Sequence, residues 1–159
     1  MSMISYLTTI RFEFGAINGI QQDLTDLGIR KPLIIADEGV VKAGLVGRIT
    51  AVMEGGGDLP VFTGTPTNPT QEAVEAALSM YRDQGCDGLI AVGGGSPIDL
   101  AKGVALLAAH EGPLERYAAI LGGIPRITPA VAPVIAVPTT AGTGSEVGRA
   151  SLITLKDGR

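Results

Sequence analysis

Three short runs of unbroken apolar residues constrain this chain most: 32–36 (PLIIA), 88–92 (GLIAV) and 133–137 (PVIAV). Each has the length of one strand and ends in a polar or glycine-rich turn. A strand with one wet face alternates apolar and polar side chains, whereas a strand covered on both faces does not. The runs therefore predict buried strands of a parallel sheet with helices packed on it. Residues 59–62 form a weaker fourth run. Residues 6–14 alternate poorly, but their β-branched and aromatic content predicts an N-terminal edge strand.

Helical patterns fill the gaps. Asn68-Pro69-Thr70 opens one helix, with Glu72 and Glu75 in its first turns, an apolar stripe of Val74, Ala77, Leu78 and Tyr81, and Gly85 as its stop. A second runs over 97–107 with Ile98, Ala101, Val104, Ala105 and Ala108 on one face. Residues 23–27 and 46–53 suit shorter helices. Strand and helix alternate, so the expected fold is α/β, a Rossmann-like parallel sheet flanked by helices with right-handed crossovers. At the end of the chain, 151–155 (SLITL) reads as a further strand and 156–159 (KDGR) as the start of a hairpin. A hairpin turn needs a returning strand, so the chain is expected to be part of a longer polypeptide.

Composition removes several functions. The 159 residues suit one domain. The net charge is −4 and no Lys/Arg cluster occurs, which opposes binding to a phosphate backbone. Aromatics make up 4% and Trp is absent, so stacking platforms for single strands are not expected either. Cys86 is the sole cysteine, which excludes an internal disulfide and a cysteine-built zinc site. Arg11 and Glu13 interrupt any signal-like apolar core near the start. The longest apolar stretch, 130–137, contains Pro133 and is too short to span a bilayer. No nucleic-acid or membrane partner is expected, and the expected location is cytoplasmic.

The strongest local signal is GGGSPIDLAK at 93–102, after a buried strand and at the start of a helix. Ser96 suits the N-cap, Pro97 the first helical position, and Asp99 the reciprocal place in a capping box. Gly93, Gly94 and Gly95 let backbone N–H groups approach a ligand, and the helix dipole adds partial positive charge there. This suits a pyrophosphate; the alternative is a well-capped turn without a ligand. No G-x-G-x-x-G follows the first strand and no P-loop occurs. Asp37, ending the first buried strand, can accept from a ribose diol and repel a 2′-phosphate, or simply cap a helix. PTTAGTGSE at 138–146 offers four hydroxyls and two glycines after another buried strand. It is either a sugar-phosphate contact or a loop satisfying itself. Asn68 reads as a ligand contact or as an N-cap. His110, the sole histidine, is expected to serve structure at a helix end, and Cys86 to be a buried, inert thiol. No Ser-His-Asp, Cys-His or paired-carboxylate constellation is evident.

GGGSPIDLAK and PTTAGTGSE, in this order and at this spacing, resemble the two signatures of the iron-containing (group III) alcohol dehydrogenases. Asp37 and Asn68-Pro69-Thr70 fit the same pattern, so the resemblance covers essentially the whole chain. It implies an NAD(P)-linked oxidoreductase that interconverts small alcohols and aldehydes or ketones with a divalent metal, iron. By position, Gly94, Gly95, Ser96, Pro97, Ile98 and Asp99 would surround the pyrophosphate and the nicotinamide end. Thr139, Thr140 and Thr143 would line the adenosine side, Asn68 would reach the phosphates, and Asp37 would hold the adenosine ribose, favouring NAD over NADP. Gly148 stands where the family often carries a hydroxyl residue, which removes one side-chain contact.

The family binds its metal through one Asp and three His of a C-terminal helical domain, and His110 matches none of them. The resemblance thus implies that residues 1–159 are the nucleotide-binding domain without metal ligands, inactive alone, with an apolar face that favours homo-oligomers. Two alternatives remain open at this point. One is a zinc-dependent relative of glycerol dehydrogenase or dehydroquinate synthase; the other is a non-catalytic nucleotide-binding module.

Overall fold

The computed structural model describes residues 2–5 and 8–158. The chain begins with two strands, β1 (Ser2–Ser5) and β2 (Thr9–Phe12), then α1 (Ile20–Asp26). The three apolar runs follow as β3 (Pro32–Ile35), β5 (Gly88–Gly93) and β6 (Val134–Pro138), and the weaker run as the two-residue β4 (Val61–Phe62). β3 and β5 are buried as expected, whereas β6 lies at the sheet's edge and is only half-buried. Between them lie α2 (Glu38–Lys42), α3 (Leu45–Thr50), α4 (Gln71–Asp83) and α5 (Gly95–Ala109).

β3 to β6 form one parallel sheet in the order β4-β3-β5-β6, with Leu33 beside Leu89 and Ile90 beside Ile135. Alternation along the strands sorts the apolar side chains into two layers. Leu33, Ile35, Leu89 and Ala91 meet α4 and α5 on one face. Ile34, Ala36, Ile90 and Val92 meet Ile20 and Leu24 of α1 and Val46 and Ile49 of α3 on the other. Each fully buried Leu or Ile contributes about 1.5–3 kcal/mol, so the central strands dominate stability. α5 is apolar nearly all round because the sheet, α4 and the segments bearing Leu114, Tyr117 and Leu155 enclose it.

Two expectations at the ends of the chain also need correction. The N-terminal strand is not an edge of the parallel sheet. β2 pairs antiparallel with β1 in a separate two-stranded sheet, Ser2 opposite Phe12. Arg11 ties it to α1 through Asp23 at 2.6 Å, and Phe12 is left exposed, where an edge strand of the main sheet would bury one face. Tyr6 and Leu7, part of that expected strand, lie outside the described residues. At the other end, 151–155 runs extended but makes a single parallel bridge, Thr70 with Thr154, so the expected strand is not formed.

Side chains hold this segment instead of a neighbouring strand. The buried Gln71 accepts from Lys156 N at 3.2 Å, and Asp99 accepts from Leu152 N at 3.1 Å. The expected turn does close, Gly158 N donating to Leu155 O at 2.9 Å, while Arg159 lies outside the described residues. Among the described residues no helix is long and apolar enough to cross a membrane.

Candidate functional site

The C-terminal ends of β3, β4, β5 and β6 open on one side of the sheet, and the loops that leave them surround a cleft of about 770 Å³. After β3 the chain turns at Asp37, which caps α2: Oδ1 accepts from Val40 N at 2.9 Å. Of its two readings, capping is thus realised, while the half-buried carboxylate also lines the cleft. A backbone bridge between Asp37 and Gly64 fastens this turn to the loop after β4. Beside Asp37, Glu38 is held below the usual carboxylate range by its hydrogen bond with Lys42 at 2.8 Å, together with that ammonium's charge.

After β5 comes the glycine turn. Gly93 has φ +145°, and a Cβ there would come within 2.6 Å of Pro97 Cγ. Gly94, in extended conformation, is the N-cap of α5, with no side-chain cap. The predicted capping box of Ser96 and Asp99 does not form, because the helix starts two residues earlier than the side-chain pattern suggests. Ser96 Oγ instead donates to Thr67 O and ties the loop after β4 to the helix start. Asp99 is buried and engaged elsewhere, with Leu152 N and, at 3.3 Å, Lys102 Nζ. The N–H groups of Gly95 and Ser96 are left without a capping side chain, and Pro97 has none to offer.

The hydroxyl-rich loop lies against this turn. Thr139 N donates to Gly93 O at 2.8 Å, continuing the β5–β6 ladder by one step. A Cβ on Gly94 would stand 3.2 Å from Thr140 Oγ1, and one on Gly95 would stand 3.1 Å from Ser145 Oγ. The two signatures are packed against each other, which requires the small residues.

Of the residues singled out in the sequence, Asp37, Gly94, Gly95, Ser96, Pro97, Thr139 and Thr140 line this cleft. Four others are not among its lining. Ile98 is buried in the core beneath the helix, and Asp99 holds the 151–152 segment. Thr143 turns inward on its own loop, bonding Glu146 and Ser145 N. Asn68 is exposed, and its predicted N-cap role falls to Thr70, which accepts from Ala73 N at 3.3 Å. Sequence reasoning missed the wall formed by 63–67, including Thr65. Its TGTPT wording, glycine and hydroxyls after a strand, is the same kind of signal that marked the other two loops.

His110 and Cys86 are not among the cleft residues. His110 Nε2 accepts from Thr128 N at 2.9 Å, so Nδ1 carries the proton and donates to Leu106 O. The ring is a brace at the end of α5, the structural role expected of it. Cys86 is half-buried rather than buried, and desolvation pushes its thiol up, which favours the protonated form.

The donor set fits an anionic nucleotide: backbone N–H groups facing open space, no Cβ in the way, and a helix dipole behind them. It does not fit a metal. Among the described residues no three His, Cys, Asp or Glu side chains are grouped to hold one.

The family description matching residues 8–159 is iron-containing alcohol dehydrogenase. The chain belongs to this family. Its relatives include 4-hydroxybutyrate dehydrogenase of Cupriavidus necator, 54% identical over 159 residues, covering 100% of this chain and 41% of the relative. The 1,3-propanediol dehydrogenase of Citrobacter freundii is 40% identical over 157 residues, 96% of this chain and 40% of the relative. Among solved structures, sulfoacetaldehyde reductase from Bifidobacterium kashiwanohense, in complex with NAD+, superposes with a TM-score of 0.84 at 28% identity. That match covers 98% of this chain and 40% of the other. A 1,3-propanediol oxidoreductase superposes with a TM-score of 0.78 at 34% identity, over 89% of this chain and 36% of the other. The chain thus spans about two fifths of the length of these iron-containing alcohol dehydrogenases.

Proposed function

We propose that residues 1–159 are the dinucleotide-binding part of an NAD-linked alcohol dehydrogenase that works with a metal bound outside these residues. One observation carries the reading: the uncapped, side-chain-free start of α5 opens into the same cleft as the Asp37 carboxylate and the hydroxyls of Thr139 and Thr140. The relatives' names supply the reaction class.

In this reading the diphosphate lies against Gly94 and Gly95, accepting from the N–H groups of Gly95 and Ser96. Asp37 keeps Oδ1 on Val40 N and offers its other oxygen to the adenosine ribose. Its charge repels a 2′-phosphate, so NAD is preferred over NADP. Thr139 and Thr140 complete the adenosine wall. Asp99 and Thr143 act on position: Asp99 by fixing the 151–152 segment, Thr143 by shaping its loop. When bound, NAD accepts the hydride that an alcohol carbon gives up as it becomes a carbonyl.

The substrate class favoured is a small molecule with a terminal hydroxyl, as in the 4-hydroxybutyrate and 1,3-propanediol of two relatives' names. A homo-oligomer and a cytoplasmic location belong to the same reading. The first is supported by exposed apolar side chains, the second by the lone thiol of Cys86.

Calorimetric titration of the protein with NAD, ADP and NADP tests the proposal. NAD and ADP are expected to bind, and NADP at least about tenfold more weakly, since one unpaired like-charge contact is worth more than 1.4 kcal/mol. Absence of heat with both NAD and ADP overturns it.

A further inference from the structure

Thr65 stands apart among the cleft residues. It is 8% exposed, it lies in the wall formed by 63–67, and its Oγ1 has neither a hydrogen-bond partner nor access to water. A buried hydroxyl in that condition is destabilising unless something supplies an acceptor.

Its neighbours fix where that acceptor would come from. On one side, Gly64 is bridged to Asp37. On the other, Thr67 O receives Ser96 Oγ from the first turn of α5. Thr65 therefore sits between the carboxylate end of the cleft and the glycine turn, in a loop clamped at both places. One step of about 120° between staggered χ1 rotamers carries the hydroxyl to another side of Cβ, so it can turn to a ligand without backbone movement. A phosphate oxygen is acceptor-only at neutral pH and matches a lone donor in a wall that shares its cleft with the start of α5.

We propose that Thr65 is a further binding residue of this cleft, its hydroxyl donating to a phosphate oxygen of a nucleoside diphosphate from the wall beside the glycine turn. The inference rests on the nucleotide-binding reading above. It adds a contact that neither signature contains.

Thr65→Val and Thr65→Ser separate the possibilities, with binding measured by calorimetry and folding by thermal melts. Valine keeps the shape and removes the hydroxyl. The expected result is an affinity for both NAD and ADP that is about tenfold weaker in Thr65→Val, and near wild type in Thr65→Ser. The unliganded Thr65→Val protein should melt no lower than wild type, because an unpaired hydroxyl has been removed.

Unchanged NAD and ADP affinity in Thr65→Val, with wild type binding both, overturns the proposal and leaves the nucleotide reading standing. Weaker NAD binding with ADP untouched overturns the phosphate assignment. A lower melting point in unliganded Thr65→Val overturns the premise that the hydroxyl is unpaired. Failure of wild type to bind either ligand removes both readings together.

Discussion

At Asp37 one side chain has two tasks that substitution can separate. Its Oδ1 caps α2 through Val40 N, and its charge faces the cleft. Asn is as good an N-cap as Asp but carries no charge, whereas Ala does neither job. Asp37→Asn should therefore keep its melting temperature and lose most discrimination against NADP. Asp37→Ala should also lose about 1 kcal/mol of stability. Parallel thermal melts and NAD/NADP titrations would check this, and a stable Asp37→Asn protein that still rejects NADP would refute the charge argument. The carboxylate was legible in the sequence because it ends a buried run. Asp99 shows the limit of such reading. Spacing placed it in the first turn of a helix, but the extended Gly94 starts α5 earlier, and the side chain turns to Leu152 N. Cap position depends on backbone conformation at a glycine, which side-chain identity does not encode.

Helices and buried strands were readable where apolar periodicity is strong, as in α4 with Val74, Ala77, Leu78 and Tyr81 all buried. The N-terminal and C-terminal segments were not, because a run such as SLITL carries strand propensity whether or not a neighbour offers a free edge. There, individual polar side chains decide the outcome. Asp87 is a comparable tether in a connection: it accepts from Lys31 N at 2.8 Å and Arg30 N at 3.0 Å, fastening the approach to β3 to the start of β5. Desolvation raises its pKa, but the backbone N–H groups of Lys31 and Arg30, with the Arg30 side chain, outweigh it and leave the value lowered. A carboxyl lowered on folding contributes stability that is present above its unfolded value and lost as pH falls through the folded one. Asp87→Asn should cost about 1 kcal/mol at neutral pH. That deficit should shrink on acidification below the ordinary aspartate range. Urea melts across pH would measure it, and a deficit that does not change with pH would contradict the linkage.

For the molecule as a whole, the strand order β4-β3-β5-β6 places the chain's reversal between β3 and β5, and the cleft lies above that point, where open α/β sheets gather ligands. The parallel sheet followed from the unbroken apolar runs, but its strand order did not. Nor did it follow which residues make up the expected apolar surface. Ile120 and Ile124, in short 3₁₀ turns after α5, are 70% and 61% exposed, and Phe12 and Phe14 stand out near the N-terminal strand pair. The proposed homo-oligomer would cover such side chains with a second copy of the chain. Light scattering should report a mass above 16.2 kDa that rises with concentration. A single 16.2 kDa species at every concentration would count against self-association.

The 3.1 Å between the place of a Cβ on Gly95 and Ser145 Oγ has a consequence for how such sequences can change. The two loops share one small volume, so a methyl gained at 95 would displace the Ser145 hydroxyl by a few tenths of an ångström. Bulk added to either signature therefore presses on the other across fifty positions of chain.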